Sequence, residues 1–294
     1  MKKQSKLLAL LLACAMTLAL SACGGSSATT STPASSAAPA ASGSAAATGD
    51  KTYTIGICQL VQHNALDAAT KGFKDALTEK LGDKVKFDEQ NAAGDSAACT
   101  TICNQFVSSN VDLIMANATP ALQAATAATN SIPILGTSVT DYGTALSIAD
   151  WKGTTGTNVT GTADLAPLDK QAEMIKTLFP DKKNVGILYC SAEPNSKYQS
   201  TEITKYLTDA GYTCKEYTFA DSNDVAAVTK TACDESDVLY VPTDNTAASC
   251  AESINNIAEP AKVPIVAGEA GICTGCGVAT LSIDYYDLGV VTGN

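Results

Sequence analysis

The stretch Tyr53-Thr54-Ile55-Gly56-Ile57-Cys58-Gln59, continued by Ala65–Leu81 and Val85–Gln90, decides the fold. The first and last runs are short and strand-like. Between them Leu66, Ala69, Phe73, Ala76, Leu77 and Leu81 recur at helical spacing, so one stripe of that segment is apolar. Strand, helix, strand is a βαβ unit, and such units build parallel sheets.

Outward from this unit the alternation repeats. Further strands are expected at Val111–Ala116 and Ile132–Leu135, with a helix over Ser96–Ser108 carried by Ile102, Phe106 and Val107. A second series follows: strands at Asn184–Cys190, Thr213–Phe219, Val238–Val241, Val263–Ala267 and Gly277–Ser282, with helices over Leu168–Leu178 and Lys197–Ala210. Between the series lies a pause, Ala149–Thr162, rich in Gly and Thr and holding the single Trp, Trp151. Nine strands are many for one sheet, so two α/β lobes are expected rather than one large doubly wound sheet. The expected limits are 51–157 for an N-terminal α/β lobe and 158–282 for a C-terminal α/β lobe. Residues 283–294 are expected to form a return crossover toward the first lobe.

The chain opens differently. Lys2, Lys3 and Lys6 precede an apolar run, Leu7–Leu20, and then Leu20-Ser21-Ala22-Cys23-Gly24-Gly25. A basic start, a short apolar core and small residues before a cleavage point describe an export signal, here 1–22. The core is too short for a comfortable membrane span. The Leu-Ser-Ala-Cys order looks like a bacterial lipobox, which implies cleavage before Cys23 and lipidation of its thiol. Residues 23–50 then form a tether: Gly24–Ala47 contains only Gly, Ser, Ala, Thr and Pro. Such a segment has too little apolar surface to offset the entropy of ordering. Over about 27 residues a flexible chain reaches roughly 30 Å. The protein is therefore expected outside the cytoplasm, lipid-anchored to the cell membrane.

The net charge is −11, and from Asp50 onward 16 Lys face 30 Asp and Glu. That disfavours nucleic acid and anionic lipid surfaces as partners. Every basic residue is Lys; there is no Arg. An anionic ligand group would have to be held by backbone N–H groups, hydroxyls or Lys, without the usual bidentate clamp. Of the eleven Cys, Cys14 lies in the signal and Cys23 is the anchor, leaving nine. An odd number cannot all pair within one chain. Unpaired thiols in an exported protein suggest a low-oxygen habitat, or Cys used as a small buried hydrophobe.

Catalytic motifs are missing. His63 is the only imidazole and has no nucleophile in its motif. There is no Gly-x-Ser-x-Gly elbow and no phosphate loop ending in Gly-Lys-Ser/Thr, and Gly268, Gly271, Gly275 and Gly277 lack the dinucleotide spacing. Cys273-x-x-Cys276 has no second ligand pair nearby and does not open an early βαβ unit, so a structural role is expected over redox or zinc chemistry. Cys99-x-x-x-Cys103 would join it only if the two loops meet. The glycosylation patterns Asn117-x-Thr119 and Asn158-x-Thr160 carry little weight in a bacterial lipoprotein. No enzyme activity, cofactor or metal is expected.

Parallel sheets bind ligands at the carboxyl ends of their strands, beside helix N-termini. Those ends are polar here: Leu60-Val61-Gln62-His63-Asn64, Asn117-Ala118-Thr119-Pro120, Gly136-Thr137-Ser138-Val139-Thr140-Asp141, Ser191-Ala192-Glu193-Pro194-Asn195-Ser196, Pro242-Thr243-Asp244-Asn245 and Gly268-Glu269. Each loop also reads as a helix cap. Their recurrence in both series favours a site.

These loops resemble a family. Ile55-Gly56-Ile57-Cys58-Gln59 with His63-x-Ala65-Leu66-Asp67, Gln90-Asn91-Ala92-x-Gly94-Asp95, and Ala118-Thr119-Pro120 carry the resemblance in the first half. Thr137-x-Val139-Thr140-Asp141, Asn158-Val159-Thr160-Gly161, Asn195-Ser196, Pro242-Thr243-Asp244-Asn245, Ile283-Asp284-Tyr285-Tyr286, Leu288-Gly289 and Thr292-Gly293 carry it onward. Together they resemble ABC transporter substrate-binding proteins of the tryptophan/tyrosine-uptake type. The resemblance implies a two-lobed periplasmic-binding-protein-like (type I) fold, each lobe a parallel sheet flanked by helices, closing on a small molecule. It suggests an aromatic amino acid as ligand, a monomer, and an ABC permease in the membrane as partner. Such proteins usually continue with a C-terminal helix that returns to the first lobe, and Asn294 is expected to stop before it, so the return at 283–294 is expected to be truncated. A sensor module for a receptor, or a binding protein for a sugar, nucleoside or peptide, stays open.

For an amino-acid ligand, loop position and resemblance together give roles. Thr119, Thr137, Ser138 and Thr140 are the candidates for the carboxylate, and Glu193, Asp244, Asn245 and Glu269 for the ammonium. Gln62, His63 and Leu66 would flank the side chain. Asp141, Asn195, Ser196 and Asp284 complete the expected ligand-binding set.

Overall fold

The computed structural model describes residues 51–294. The expected signal, the expected lipidation at Cys23 and the expected tether lie outside the described residues.

The first lobe opens with β1 (Tyr53–Gln59), α1 (Asn64–Leu81), β2 (Val85–Asn91), α2 (Ser96–Ser108), β3 (Leu113–Asn117) and α3 (Thr119–Ala128). It continues with β4 (Ile134–Val139), the one-turn α4 (Tyr142–Ala145) and β5 (Val159–Ala163). The second lobe holds α5 (Leu168–Leu178), β6 (Asn184–Cys190), α6 (Pro194–Asp209), β7 (Thr213–Phe219), α7 (Val225–Glu235) and β8 (Val238–Val241). Then come α8 (Asn245–Ser249), α9 (Ala251–Ala261), β9 (Ile265–Ala267), α10 (Ala270–Cys276), β10 (Ala279–Thr280) and finally α11 (Tyr285–Gly293).

Each lobe is one five-stranded parallel sheet, ordered β2-β1-β3-β4-β5 and β7-β6-β8-β9-β10. The two orders are the same pattern, used twice. In both, the order reverses beside the first strand, so a crevice opens at the carboxyl ends of β1 and β3 and of β6 and β8. The inner strands are buried on both faces, as helices on either side require: Ile57, Cys58, Ile114, Met115, Ile187, Leu188, Leu239 and Tyr240 are all fully buried. On α1, Leu66, Ala69, Phe73 and Ala76 are buried, whereas Leu77 and Leu81 are half-buried at its trailing end.

The pause corrects the lobe limits. Val159–Ala163 is a fifth strand of the first sheet, with Ile134 opposite Val159 and Val139 opposite Ala163. The first lobe therefore extends past residue 157, and the chain first crosses between lobes at Asp164–Pro167. The strand was masked because its outer positions are Thr and Gly, and only Val159 is a buried apolar residue. A sheet-edge strand needs little more.

The second crossing, between β10 and α11, brings the chain back to the first lobe, where α11 lies on α1. The helices approach at glycines. A Cβ on Gly289 would collide with the Ala69 carbonyl oxygen, and one on Gly72 with the Tyr286 carbonyl oxygen. Hydroxyls pin the far end of α11: Thr292 donates to Thr137 Oγ1 at 3.2 Å, and Thr292 and Thr162 hydroxyls are 2.7 Å apart.

All nine described cysteines are free thiols, six of them buried. They serve as small apolar core residues on β1, α2, β6, α7 and α10. Burial pushes the Cys276 thiol up to about 12, and burial with the nearby Glu269 pushes Cys273 up as well. A redox-active Cys-x-x-Cys depends on a thiol moved the other way.

Candidate ligand-binding cleft

The loops after β1, β3 and β4 face those after β6, β8 and β9, and the lobes touch. His63 Nε2 lies 3.2 Å from Asn245 Oδ1 across the cleft, and Gln199 Nε2 of α6 donates to Thr140 Oγ1 at 3.2 Å. Between the lobes is a cavity of about 250 Å³ lined by Leu60, Val61, Gly94, Asp95 and Pro120 on one side and Cys190, Ala192, Glu193, Ala220, Asp221 and Thr246 on the other. A second gap, about 270 Å³, is bounded by Gln62, His63, Ser249, Gly271 and Thr274. Among the described residues no lysine is buried, so no lysine ammonium lies in the cleft interior.

Besides His63 Nδ1 and Asn117 Oδ1, three buried polar atoms in the cleft loops have no hydrogen-bond partner: Thr119 Oγ1, Ser138 Oγ and Asn195 Oδ1. Their residues are 2 %, 7 % and 6 % exposed. Leaving such a group unpaired costs about 1–3 kcal/mol, so a native site usually supplies a partner. Two of the loops are strained as well. Ala118, just before Thr119, has φ +93°, and Ser138 has φ +54°. A non-glycine residue held there costs on the order of 1–3 kcal/mol, and such strain clusters at ligand-binding loops.

The acidic candidates are occupied by the protein itself. Asp244 accepts from Ala247 N–H and from Cys190 N–H, both at 2.7 Å, so it caps α8 and ties it to β6. Glu269 accepts from the Gly271 and Ile272 N–H groups and caps α10. Asp141 caps α4 through Thr144 N–H at 2.7 Å. Asp284 is exposed and caps α11 through Asp287 N–H, outside the cleft. Glu193 accepts from Asn245 N–H (3.0 Å), Asn245 Nδ2 (2.6 Å), Thr246 N–H (2.8 Å), Thr246 Oγ1 (2.8 Å) and Asn195 Nδ2 (3.1 Å). It is the brace that fixes α8 against the loop after β6. Both oxygens of Asp244, Glu269 and Glu193 are engaged by the protein's own donors, whereas Asp141 and Asp284 use Oδ1 alone in their caps.

The remaining candidates divide. Thr137 Oγ1 is engaged with Thr162 and Thr292, beneath the site. Ser196 is fully buried and receives a hydrogen bond from Asn195 Nδ2 at 3.2 Å. Leu66 is 1 % exposed and packs in the first lobe's core. Gln62 is exposed at the second gap. Thr140 donates to Asp164, at 3.2 Å.

Asp164, Gln199 and Tyr285 are central and were not expected. Asp164 hid at the end of the Gly- and Thr-rich pause. Gln199 lies one helical turn after Asn195, a spacing that puts both on one face of α6. Tyr285 is brought in by the return crossing.

The buried acids set a pH dependence. Burial, with the nearby Glu193 charge, pushes the Asp244 carboxyl up to about 8, against the hydrogen bonds from Ala247, Ser196 and Cys190. Between the unfolded value near 3.8 and about 8 the folded state then binds more protons than the unfolded one. Stability must fall as pH rises through that window. Below it the opposite sign rules. Asp112, beside Lys51, and Asp237, held by Asn184 and Lys183 N–H groups, sit below their ordinary value and lose their contribution as they protonate. Urea unfolding is expected to show greater stability at pH 5 than at pH 8, by on the order of 2 kcal/mol, with Asp244→Asn flattening the difference. Equal stability at the two values would show that Asp244 stays ionised in the fold.

The chain matches the family described as ABC transporter substrate binding protein over residues 54–294. It is 40 % identical over 246 residues to a tyrosine-binding protein of Clostridioides difficile (strain R20291), covering 83 % of this chain and 71 % of the relative. It superposes with TM-score 0.79 and 35 % identity on a Streptococcus pneumoniae ABC domain in complex with L-Trp, over 83 % of each chain. At a similar 38 % identity, the ligand-free, open form of a Clostridium difficile substrate-binding protein with adhesive properties gives 0.58, over 82 % of this chain and 83 % of that one. In this chain the lobes touch at His63 and Gln199. The matched family model, the two parallel sheets and the closed cleft between them agree: the chain belongs to the ABC transporter substrate-binding protein family.

Proposed function

We propose that this chain captures an amino acid with an aromatic side chain, tyrosine or tryptophan, in the inter-lobe cleft and presents it to an ABC permease. The observation that carries the reading is the set of buried, unpartnered Thr119, Ser138 and Asn195 atoms, drawn from both lobes at strand ends beside helix N-termini. A ligand that satisfied atoms of both lobes would favour the closed state by its differential affinity for it. With neither Arg nor buried Lys, the ligand carboxylate is assigned to the Thr119 and Ser138 hydroxyls and the amino end of α3. The cavity beside Leu60, Val61, Pro120 and Ala192 is assigned to the ligand side chain. The names of the tyrosine-binding relative and the L-Trp complex support the ligand class.

Thermal unfolding with tyrosine, tryptophan, phenylalanine, a sugar and a nucleoside tests this. A ligand at about 100 times its Kd should stabilise the fold by ~2.7 kcal/mol, read as a rise in Tm. A shift with the sugar or nucleoside and none with the three amino acids sinks the assignment.

The same reading places the protein outside the cytoplasm on a lipid at Cys23. The Cys23→Ala protein is expected in the medium or unprocessed. Retention of the mutant on membranes, at the same processed mass and with the same lipid label, contradicts the anchor.

A further inference from the structure

His63 holds the N-cap position of α1, yet its side chain makes no capping hydrogen bond. Asp141, Asp244 and Glu269, at the same position on α4, α8 and α10, all turn back onto their own helices. The imidazole reaches the second lobe instead, where its Nε2 lies 3.2 Å from Asn245 Oδ1.

The surrounding network assigns the proton of this contact. Asn245 Nδ2 donates to Glu193 Oε2 at 2.6 Å, and the Asn245 N–H donates to the same oxygen at 3.0 Å. Glu193 also accepts from Thr246 N–H, Thr246 Oγ1 and Asn195 Nδ2, so it acts as an acceptor throughout. The Asn245 amide must therefore turn its nitrogen toward Glu193 and its oxygen toward His63. A carbonyl oxygen cannot donate, so the imidazole carries its proton on Nε2. Nδ1 is then a bare acceptor, buried and without a partner, and the ring is held across the cleft by Nε2 alone.

The pair stands between two spaces. Glu193 and Thr246, which flank Asn245 in this network, line the inter-lobe cavity of about 250 Å³. His63 borders the neighbouring gap of about 270 Å³, and Ser249 lines both. His63 thus stands outside the cavity assigned to the ligand side chain, on the far side of Asn245.

We propose that His63 is a latch between the lobes: its Nε2–H donates to an Asn245 oxygen that Glu193 holds in place, and parting this bond joins the two spaces into one exit for the ligand. Asn245 is the acceptor of the latch and Glu193 a positioning residue that fixes the amide. The bond lies wholly within the protein. It therefore sets how long a bound ligand stays and is indifferent to which ligand that is. A residue packed against the ligand side chain would act differently on ligands of different shape. The inference rests on capture in the cleft, and L-tyrosine and L-tryptophan serve as its probes.

The test is the rate of dissociation of each amino acid from the full chain, in wild type, His63→Phe and His63→Gln. His63→Phe keeps a ring and loses the donor, and it should speed the release of both ligands by the same factor, about fivefold, with association within about twofold of wild type. His63→Gln carries an amide N–H at a similar reach and should restore slow release. Unchanged release from His63→Phe overturns the latch, as does His63→Gln releasing as fast as His63→Phe. Factors for tyrosine and tryptophan that differ more than about threefold also overturn it, and place His63 against the ligand. The chain has a single histidine, so its imidazole gives one nitrogen spectrum without assignment by mutation. That spectrum should show an Nε2–H protected from exchange with water and an unprotonated Nδ1. A proton on Nδ1, or an unprotected ring, overturns the latch even if the variants do not fold. If wild type binds neither amino acid, the aromatic-ligand reading fails by itself, and the imidazole spectrum still decides the latch.

Discussion

Glu193→Ala is expected to lower the free energy of unfolding by about 3 kcal/mol and to weaken ligand binding with it. Glu193 is 3 % exposed and receives five hydrogen bonds, from Asn195, Asn245 and Thr246. Removing the carboxylate leaves the Asn245 and Thr246 donors without that acceptor, each at a cost of about 1–3 kcal/mol where water cannot reach, while Asn195 Nδ2 keeps Ser196 Oγ and the Thr243 carbonyl. Part of that is offset, because the charge that pushes Asp244 up is removed too. The decrease of stability between pH 5 and pH 8 should therefore become shallower in the variant. Binding should suffer because Asn195 and Asn245, freed from Glu193, no longer hold their places on the second lobe's side of the cleft. Urea unfolding and ligand titration read both effects. A loss below about 1 kcal/mol would mean that the brace is dispensable and that α8 is held by Asp244 alone.

The second large effect is expected from Gly289→Leu. The α1 and α11 backbones approach so closely at Gly289 and Gly72 that a side chain meets a carbonyl oxygen, not another side chain that could rotate away. Overpacking of this kind typically costs 1–3 kcal/mol, and here on the order of 3 kcal/mol because the obstruction is backbone. Displacing α11 also withdraws Tyr285 from Asp164 and Thr292 from Thr137. Tm should fall by several degrees and ligand affinity should fall as well. Gly289→Ala places a single methyl in the same contact and should give a smaller loss in the same direction. Unchanged Tm in the Leu variant would show that α11 does not need this close approach.

The sequence by itself determined the fold class, because period is a local property. The stripe of α1 and the alternation of short strands with helices fix parallel α/β units without knowledge of partners. It also determined that any anion must be held without Arg, since composition needs no structure. It found the loops of the cleft for the same reason: Thr119, Ser138 and Asn195 stand at strand ends, and strand ends are where such sheets bind. What it could not separate was a cap from a site. Asp244, Glu269, Asp141 and Asp284 have the same residue type in the same position after a strand, and only the tertiary structure showed their oxygens turned back onto helix N–H groups.

The tertiary structure alone decided β5, since a polar edge strand has no period of its own and exists because β4 offers it an unpaired edge. It alone decided the place of Asp164, whose neighbours Thr140, Gln199 and Tyr285 lie 24, 35 and 121 residues away or are linked through Thr140. A carboxylate's role depends on which donors surround it, and here those donors come from the loop after β4 and from α11, which meet only when the chain has crossed back to the first lobe.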